Sequence, residues 1–241
     1  MNTKRLITLL IAGMTALLPV MGQKPQSYLT KEQMPDAVLY LPAPPDTLSM
    51  HFAYDTAQYR WGQRMRPTDR GEQARKDAEY SIERMANIFS PALGFTISPN
   101  RTPELWKLLR DANYTAHDAC SHAKEYYFRP RPYMHFNEPT LVPQDEEVLR
   151  HNGSYPSGHT TLGWTTALIL VELCPEAENE VLRIGFEYGQ SRVIAGYHWQ
   201  SDVDAGRLVA SAAVARLHAS PAFIRQLKKA QKEVNKQRKT K

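Results

Sequence analysis

The sequence predicts an all-α protein, a single compact multi-helix domain. Apolar positions recur at helical three- and four-residue spacing along most of the chain. No stretch shows the sustained apolar–polar alternation, bounded by hairpin turns, that marks strands. At 241 residues the chain is long enough for one substantial core, and neither an internal repeat nor a second domain boundary is visible. A hydrophobic content of 42% with 23% charged residues excludes wholesale disorder.

The N-terminus stands apart from the fold. In residues 1–22, Lys4 and Arg5 precede an apolar stretch over residues 6–20, and Val20-Met21-Gly22 offers a cleavage site, the form of a signal peptide. The stretch is short of the roughly 20 residues of a spanning helix, so no membrane anchor is expected. No cysteine follows it for a lipid anchor. Removing it takes away two cations and no acid, so the formal charge falls from +5 to +3. Much of that charge lies in residues 228–241, a solvated basic helix end, and nucleic acid is not expected as a specific partner.

Residues 23–50, with Pro25, Pro35, Pro42, Pro44 and Pro45, have neither helical nor strand period and read as an extended arm across the domain surface. Residues 51–241 make up the helical domain, of roughly eight to ten helices by pattern and punctuation. A helix over 50–66 is ended by Pro67; the next is capped by Thr68 or Asp69 and runs towards Ile88, broken by residues 90–94. Thr102-Pro103-Glu104 is a helix start, with a capping hydroxyl, proline at the first position and an acid in the first turn. That helix continues, with a break expected near Asn113, to about Phe128. Pro130, Pro132, Pro139 and Pro143 make a loop, with a short helix over 145–151. Later helices follow Pro175 up to Gly196, span 201–218, and restart at Ser220-Pro221. Cys120 and Cys174 could pair in an oxidising compartment, but both fall in helical, half-apolar contexts, where an unpaired cysteine behaves as a small hydrophobe.

Three clusters carry chemistry. Residues 153–160, Gly-Ser-Tyr-Pro-Ser-Gly-His-Thr, feed into an apolar helical stretch. The unpaired N–H groups and positive dipole end of such a helix suit an anion, with Ser157 and Gly158 as donors and His159 beside it. Read alone, the loop is equally a tight cap with a satisfied histidine. Lys124 and Arg131 are seven residues apart, so both project from one side if the helix persists that far, and Pro130 and Pro132 would aim the arginine. Alone, this pair reads as two surface cations. His198 and Asp202 are four apart; on a helix the carboxylate would take the Nδ1–H and leave Nε2 free as base or nucleophile. Arg192 adds a planar fork for anion oxygens. Together these groups suit phosphoryl transfer through a covalent phosphohistidine.

The patterns K-x6-RP, PSGH and SR-x5-H-x3-D occur in order as Lys124/Arg131/Pro132, Pro156 to His159, and Ser191/Arg192/His198/Asp202. This resembles the type 2 phosphatidic acid phosphatase (PAP2) superfamily, which includes vanadium haloperoxidases. The fuller GSYPSGHT, with Gly196 to Asp204, resembles its class A bacterial non-specific acid phosphatases, and the likeness runs from the proline-rich arm to the tail. The resemblance implies a periplasmic, metal-independent acid phosphatase with no cofactor and with phosphomonoester substrates of broad specificity. It implies His198 as nucleophile, oriented by Asp202, and His159 as proton donor to the leaving alcohol. Lys124, Arg131, Arg192, the Ser157 hydroxyl and amides near Gly158 would hold the phosphate oxygens. A homodimer is expected from the family alone. Residues 133–152 lack the cysteine of some relatives and position 195 is alanine, so no disulfide is carried over.

Rival readings fit less well. The segment from His117 to His122 hints at metal ligation, but a helix splits those side chains between faces, and no paired aspartates of a two-metal site appear. Vanadate-dependent halide oxidation is disfavoured by chain length and by the GSYPSGHT match. A multi-span lipid phosphatase lacks its spans. A non-enzymatic helical protein binding anions or partners through its basic tail would keep its function in His198→Ala, whereas the phosphatase reading expects loss of turnover.

Overall fold

A computed structural model of the chain describes residues 24–239; the proposed signal segment lies outside them. The described residues are 72% helical, and no strand occurs among them. The α-helices are α1 (Ala37–Tyr40), α2 (Met50–Met65), α3 (Asp69–Lys76), α4 (Ile82–Leu93), α5 (Pro103–Tyr127), α6 (Pro132–Phe136), α7 (Glu146–Arg150), α8 (Gly158–Leu173), α9 (Glu178–Ala195), α10 (Gln200–Leu217) and α11 (Pro221–Lys239).

The centre is α8. Of its 16 residues, 11 are buried, so it is enclosed on all sides rather than amphipathic. It packs against α5, α9 and α10. Small residues permit the close crossings. A Cβ on Gly185 would lie 2.6 Å from Cβ of Ala167, and one on Gly206 would lie 2.7 Å from the Ser157 carbonyl oxygen. The second contact seats α10 on the loop that starts α8. Helix α5, at 25 residues about 37 Å long, runs alongside. The apolar stripe of α11, Phe223, Leu227, Ala230 and Val234, closes the core against it and leaves the basic side chains outside.

Several boundaries differ from the sequence reading, each for a local reason. The arm is not uniformly extended: it holds a 3₁₀ turn at Lys31–Gln33 and helix α1, capped by Asp36, whose Oδ1 accepts from the Val38 amide at 3.0 Å. The expected helix from residue 69 to 88 is two helices. Asp77 ends α3, and Ser81 caps α4 by accepting from the Arg84 amide at 2.9 Å. Pro91 does not break α4, which continues to the left-handed Gly94. No break occurs near Asn113, whose amide nitrogen donates to Thr166 Oγ1 at 2.9 Å and ties α5 to α8. The Thr102 hydroxyl does not cap α5; it bonds back to Ser98. The stretch after Pro130 is not all loop, since Pro132 opens α6. Both cysteines are free and buried, and Cys120 Sγ lies 3.1 Å from Thr161 Oγ1.

The Gly206 crossing has a measurable consequence. Gly206→Ala is expected to destabilise the fold by about 1–3 kcal/mol through overpacking against backbone, read as a lower urea midpoint. Because the clash is with the Ser157 carbonyl, phosphate binding should weaken in the same variant.

Candidate active site

Four segments converge on one cavity of about 220 Å³. Its lining includes Lys124, Arg131, Gly158, His159, Arg192 and His198. Six of the eight residues singled out from sequence therefore meet there, and the other two, Ser157 and Asp202, lie fully buried behind its wall. Lys124 and Arg131 do not share a helix, contrary to the two-turn expectation. Helix α5 stops at Tyr127, Phe128 takes a left-handed conformation (φ 39°), and the chain turns so that Arg131 approaches from outside α5.

The electrostatic feature is three buried cations without a counter-charge. Lys124, Arg131 and Arg192 are 9%, 2% and 1% exposed. No carboxylate among the described residues pairs with any of them. Lys124 Nζ donates to the Gly153 carbonyl at 2.8 Å, and Arg131 Nε to the Leu149 carbonyl at 2.9 Å. Arg192 lies with its Cζ 4.4 Å from the Tyr197 ring centroid, and its Nε and Nη1 have no hydrogen-bond partner. A buried charge left this way costs several kcal/mol and is rational only where an anion completes it. Burial, then Arg131, pushes Lys124 down to about 7. Burial, then Arg192, lowers Arg131 to about 10, which leaves it cationic across the physiological range.

The loop before α8 adds donors. The Ser157 amide is used, donating to the Asp202 carbonyl at 2.9 Å and so fastening the loop to α10. No described residue accepts from the Gly158 or His159 amides, the first N–H groups of α8. The Ser157 hydroxyl does not line the cavity. Its Oγ accepts from the Thr160 amide and hydroxyl at 3.3 and 2.9 Å, leaving its own proton to donate elsewhere.

The two histidines are held differently. His198 follows the left-handed Gly196 (φ 89°) and precedes α10, so it and Asp202 face each other across a helix start rather than along one helix face. Its Nδ1 lies 3.3 Å from Asp202 Oδ2, and Arg131 Nη1 lies 3.2 Å from its Nε2. A guanidinium only donates, so Nε2 carries the lone pair and the proton sits on Nδ1. Asp202 is fixed in turn: Oδ2 accepts from the Trp199 amide at 2.9 Å and Oδ1 from Arg129 Nη1 at 2.6 Å. Burial, then Arg131, Lys124 and Arg192, holds the His198 imidazole well below its usual range. His159, half-buried, donates from Nε2 to the Ala78 carbonyl at 3.0 Å. Burial and Arg192 hold it well below its usual range, while the Ala78 carbonyl works the other way.

A family model described as the PAP2 superfamily matches residues 112–225, which hold all eight of these residues. A "Non-specific acid phosphatase" of Providencia stuartii is 48% identical over 213 residues, covering 88% of this chain and 86% of that protein. The chain belongs to the PAP2 superfamily. A "Non-specific acid phosphatase" of Salmonella typhimurium is 45% identical over 211 residues, covering 87% of this chain and 84% of its own. An "Acid phosphatase" of Zymomonas mobilis is 34% identical over 230 residues, covering 95% and 87%.

This PAP2 site contains groups that sequence reasoning missed. Tyr80 packs edge-on against His159 with centroids 4.8 Å apart, and its hydroxyl lies 2.8 Å from His117 Nδ1. His117 lines the same cavity, two helical turns before Lys124 on α5, a spacing that could have been read as one face. Arg129, two residues before Arg131, is buried against Asp202 and Asp55. Asp55 and the Ala78 carbonyl carry no local signal. The rival metal segment does not assemble a site: among the described residues no group of three or more His, Cys, Asp or Glu side chains is arranged to hold a metal ion. No described helix is long and apolar enough to cross a membrane.

Uncompensated cations predict an inverse relation between stability and binding in the PAP2 pocket. Arg192→Met should raise stability in phosphate-free buffer by about 1–4 kcal/mol. Inorganic phosphate at a hundred times its Kd should stabilise the parent chain by about 2.7 kcal/mol. The variant should gain far less. Thermal melts with and without phosphate read both effects.

Proposed function

We propose that the chain is a metal-independent acid phosphatase that hydrolyses phosphate monoesters of broad specificity through a covalent phosphohistidine. What carries the reading is the set of three buried, unpaired cations around a cavity that also presents a neutral, oriented imidazole. A phosphate group would supply the missing charge. Its oxygens would take donors from Lys124, Arg131, Arg192 and the free Gly158 and His159 amides, with the uncommitted proton of Ser157 turned in from behind the wall.

In the first step the Nε2 lone pair of His198 attacks phosphorus as the ester P–O bond breaks, and Arg131 Nη1 moves from Nε2 onto a phosphate oxygen. The Asp202 carboxylate stabilises the positive ring through Nδ1–H. His159 gives a proton to the departing alkoxide. In the second step His159 takes a proton from water, the hydroxide attacks phosphorus, the N–P bond breaks, and inorganic phosphate leaves with His198 restored. Nothing in the three motifs is of a kind that reads a base or a sugar, which supports broad monoester specificity. Residues 1–22 support export to the periplasm, and homodimeric assembly belongs to the same proposal.

A phosphate-release panel on the mature protein, covering nucleotides, sugar phosphates, phytate and pyrophosphate, tests the reading. His198→Ala should lose at least about a thousandfold in kcat. His159→Ala should slow alkyl phosphates by about a hundredfold or more. It should slow 4-nitrophenyl phosphate much less, since that leaving group departs without a proton. Turnover unchanged in His198→Ala would refute the mechanism.

The signs of the shifts predict an acidic optimum. His198 must be neutral, and its lowered pKa keeps it so into the acid range. Lys124 must be charged, and at about 7 it loses its proton as pH rises through neutrality. His159 must be protonated, which a bound phosphate dianion favours against the surrounding cations. kcat/KM should therefore fall on the alkaline side from near neutrality and on the acid side as His198 protonates. A profile flat from about pH 5 to about pH 9 would be incompatible with the two-histidine assignment.

A further inference from the structure

Behind the cavity wall lies a closed polar cluster that the three motifs do not contain. Asp55, on α2, is fully buried. Its Oδ1 accepts from the Ser201 amide at 2.8 Å, and its Oδ2 accepts from the Ser201 hydroxyl at 2.6 Å and from Arg129 Nη2 at 2.7 Å. Arg129 Nη1 donates to Asp202 Oδ1 at 2.6 Å and to Ser201 Oγ at 2.8 Å. The guanidinium also lies over the Trp199 ring, with its Cζ 5.2 Å from the centroid. Its fork is therefore gripped on both prongs and on one face.

We propose that Arg129 and Asp55 are positioning residues: together they lock the Asp202 carboxylate against Nδ1 of His198 and set the negative charge that the imidazole faces. The proposal rests on the phosphatase reading above and extends it one layer inward. Geometry supplies the first half. The second prong of Arg129 ends on Asp55, so Asp202 cannot rotate away from His198 without breaking charge-assisted bonds in a buried place.

Charge supplies the second half. His198 faces Arg131, Lys124 and Arg192 from three separate elements, His159 from α8, and Asp202 from α10. Behind Asp202 stand one guanidinium and one further carboxylate, so Asp55, Arg129 and Asp202 together carry a single net negative charge. Removing Arg129 leaves two buried carboxylates behind the imidazole, which then holds its proton more tightly. Neutralising Asp55 leaves Arg129 to offset Asp202 fully, and the imidazole loses its proton more readily. The two changes should move the acid limb of kcat/KM in opposite directions, which simple loss of packing would not do.

The test measures kcat/KM against pH with 4-nitrophenyl phosphate, together with the inhibition constant for inorganic phosphate. Arg129→Met should lower kcat by about 10- to 100-fold and move the acid limb up by about one pH unit, with phosphate inhibition essentially unchanged. Asp55→Asn should lower kcat and move the limb down. Arg129→Lys keeps the charge without the fork; it should restore the limb to its parental position while kcat stays below the parent. If Arg129→Met does not fold, the Asp55→Asn profile decides. A limb and kcat unchanged in Asp55→Asn, or limbs moving the same way in Asp55→Asn and Arg129→Met, would overturn the relay. A parent chain without turnover on any ester would instead defeat the phosphatase reading beneath it.

Discussion

The structure is organised around a cost: three cations buried at one point with no ion-pair partner among the described residues. Lys124, Arg131 and Arg192 repel one another, and each loses hydration on burial. Such an arrangement persists only where the surrounding fold imposes it. The imposition comes from the long helix α5, from the α8–α9–α10 packing with its glycine crossings, and from the carbonyls of Gly153 and Leu149 that hold two of the cations in place. The helix start of α8 points the same way, since its free amides add positive potential instead of relieving it.

Keeping the site positive also requires that nearby acids be occupied elsewhere. Asp77, beside Ser191, takes the Arg84 guanidinium at 2.6 Å and the Ser191 hydroxyl at 2.6 Å. Asp202 takes Arg129. Asp77 and Asp202 are thus each tied to an arginine one layer out. These carboxylates are held back from the three cations by arginines of their own, so an entering anion meets a positive field that they answer only in part.

What the sequence made legible was what it encodes locally. Lys124, Arg131, His159, Arg192, His198 and Asp202 lie in three short motifs, and the structure brings them to one cavity or its wall. The Asp55 link to Ser201 spans 146 positions and the Arg129 link to Asp202 spans 73, distances over which no periodicity carries information. Arg129 lies between Lys124 and Arg131 but has the local signature of any cation next to a proline. The left-handed turn at Phe128, a conformation that a side chain as large as phenylalanine rarely takes, gave no warning in advance and decides where both arginines point.

The misread boundary at residue 77 bears directly on the proton chemistry. Read as one helix to Ile88, the segment would have spent the Ala78 carbonyl on its own backbone ladder. Because α3 ends at Lys76, that carbonyl is free to accept from Nε2 of His159, and Tyr80 in the same turn closes on the ring's edge. With Nε2–H committed to a carbonyl that cannot donate in return, Nδ1 is the nitrogen left to give and take a proton. The same bond favours the imidazolium against burial, Arg192 and Arg131, so the helix break raises the proton affinity of a buried histidine. Helix propensity favoured continuity there; the side-chain bonds of Asp77 and Ser81 prevailed, and the turn they enforce carries the acceptor that fixes the His159 ring.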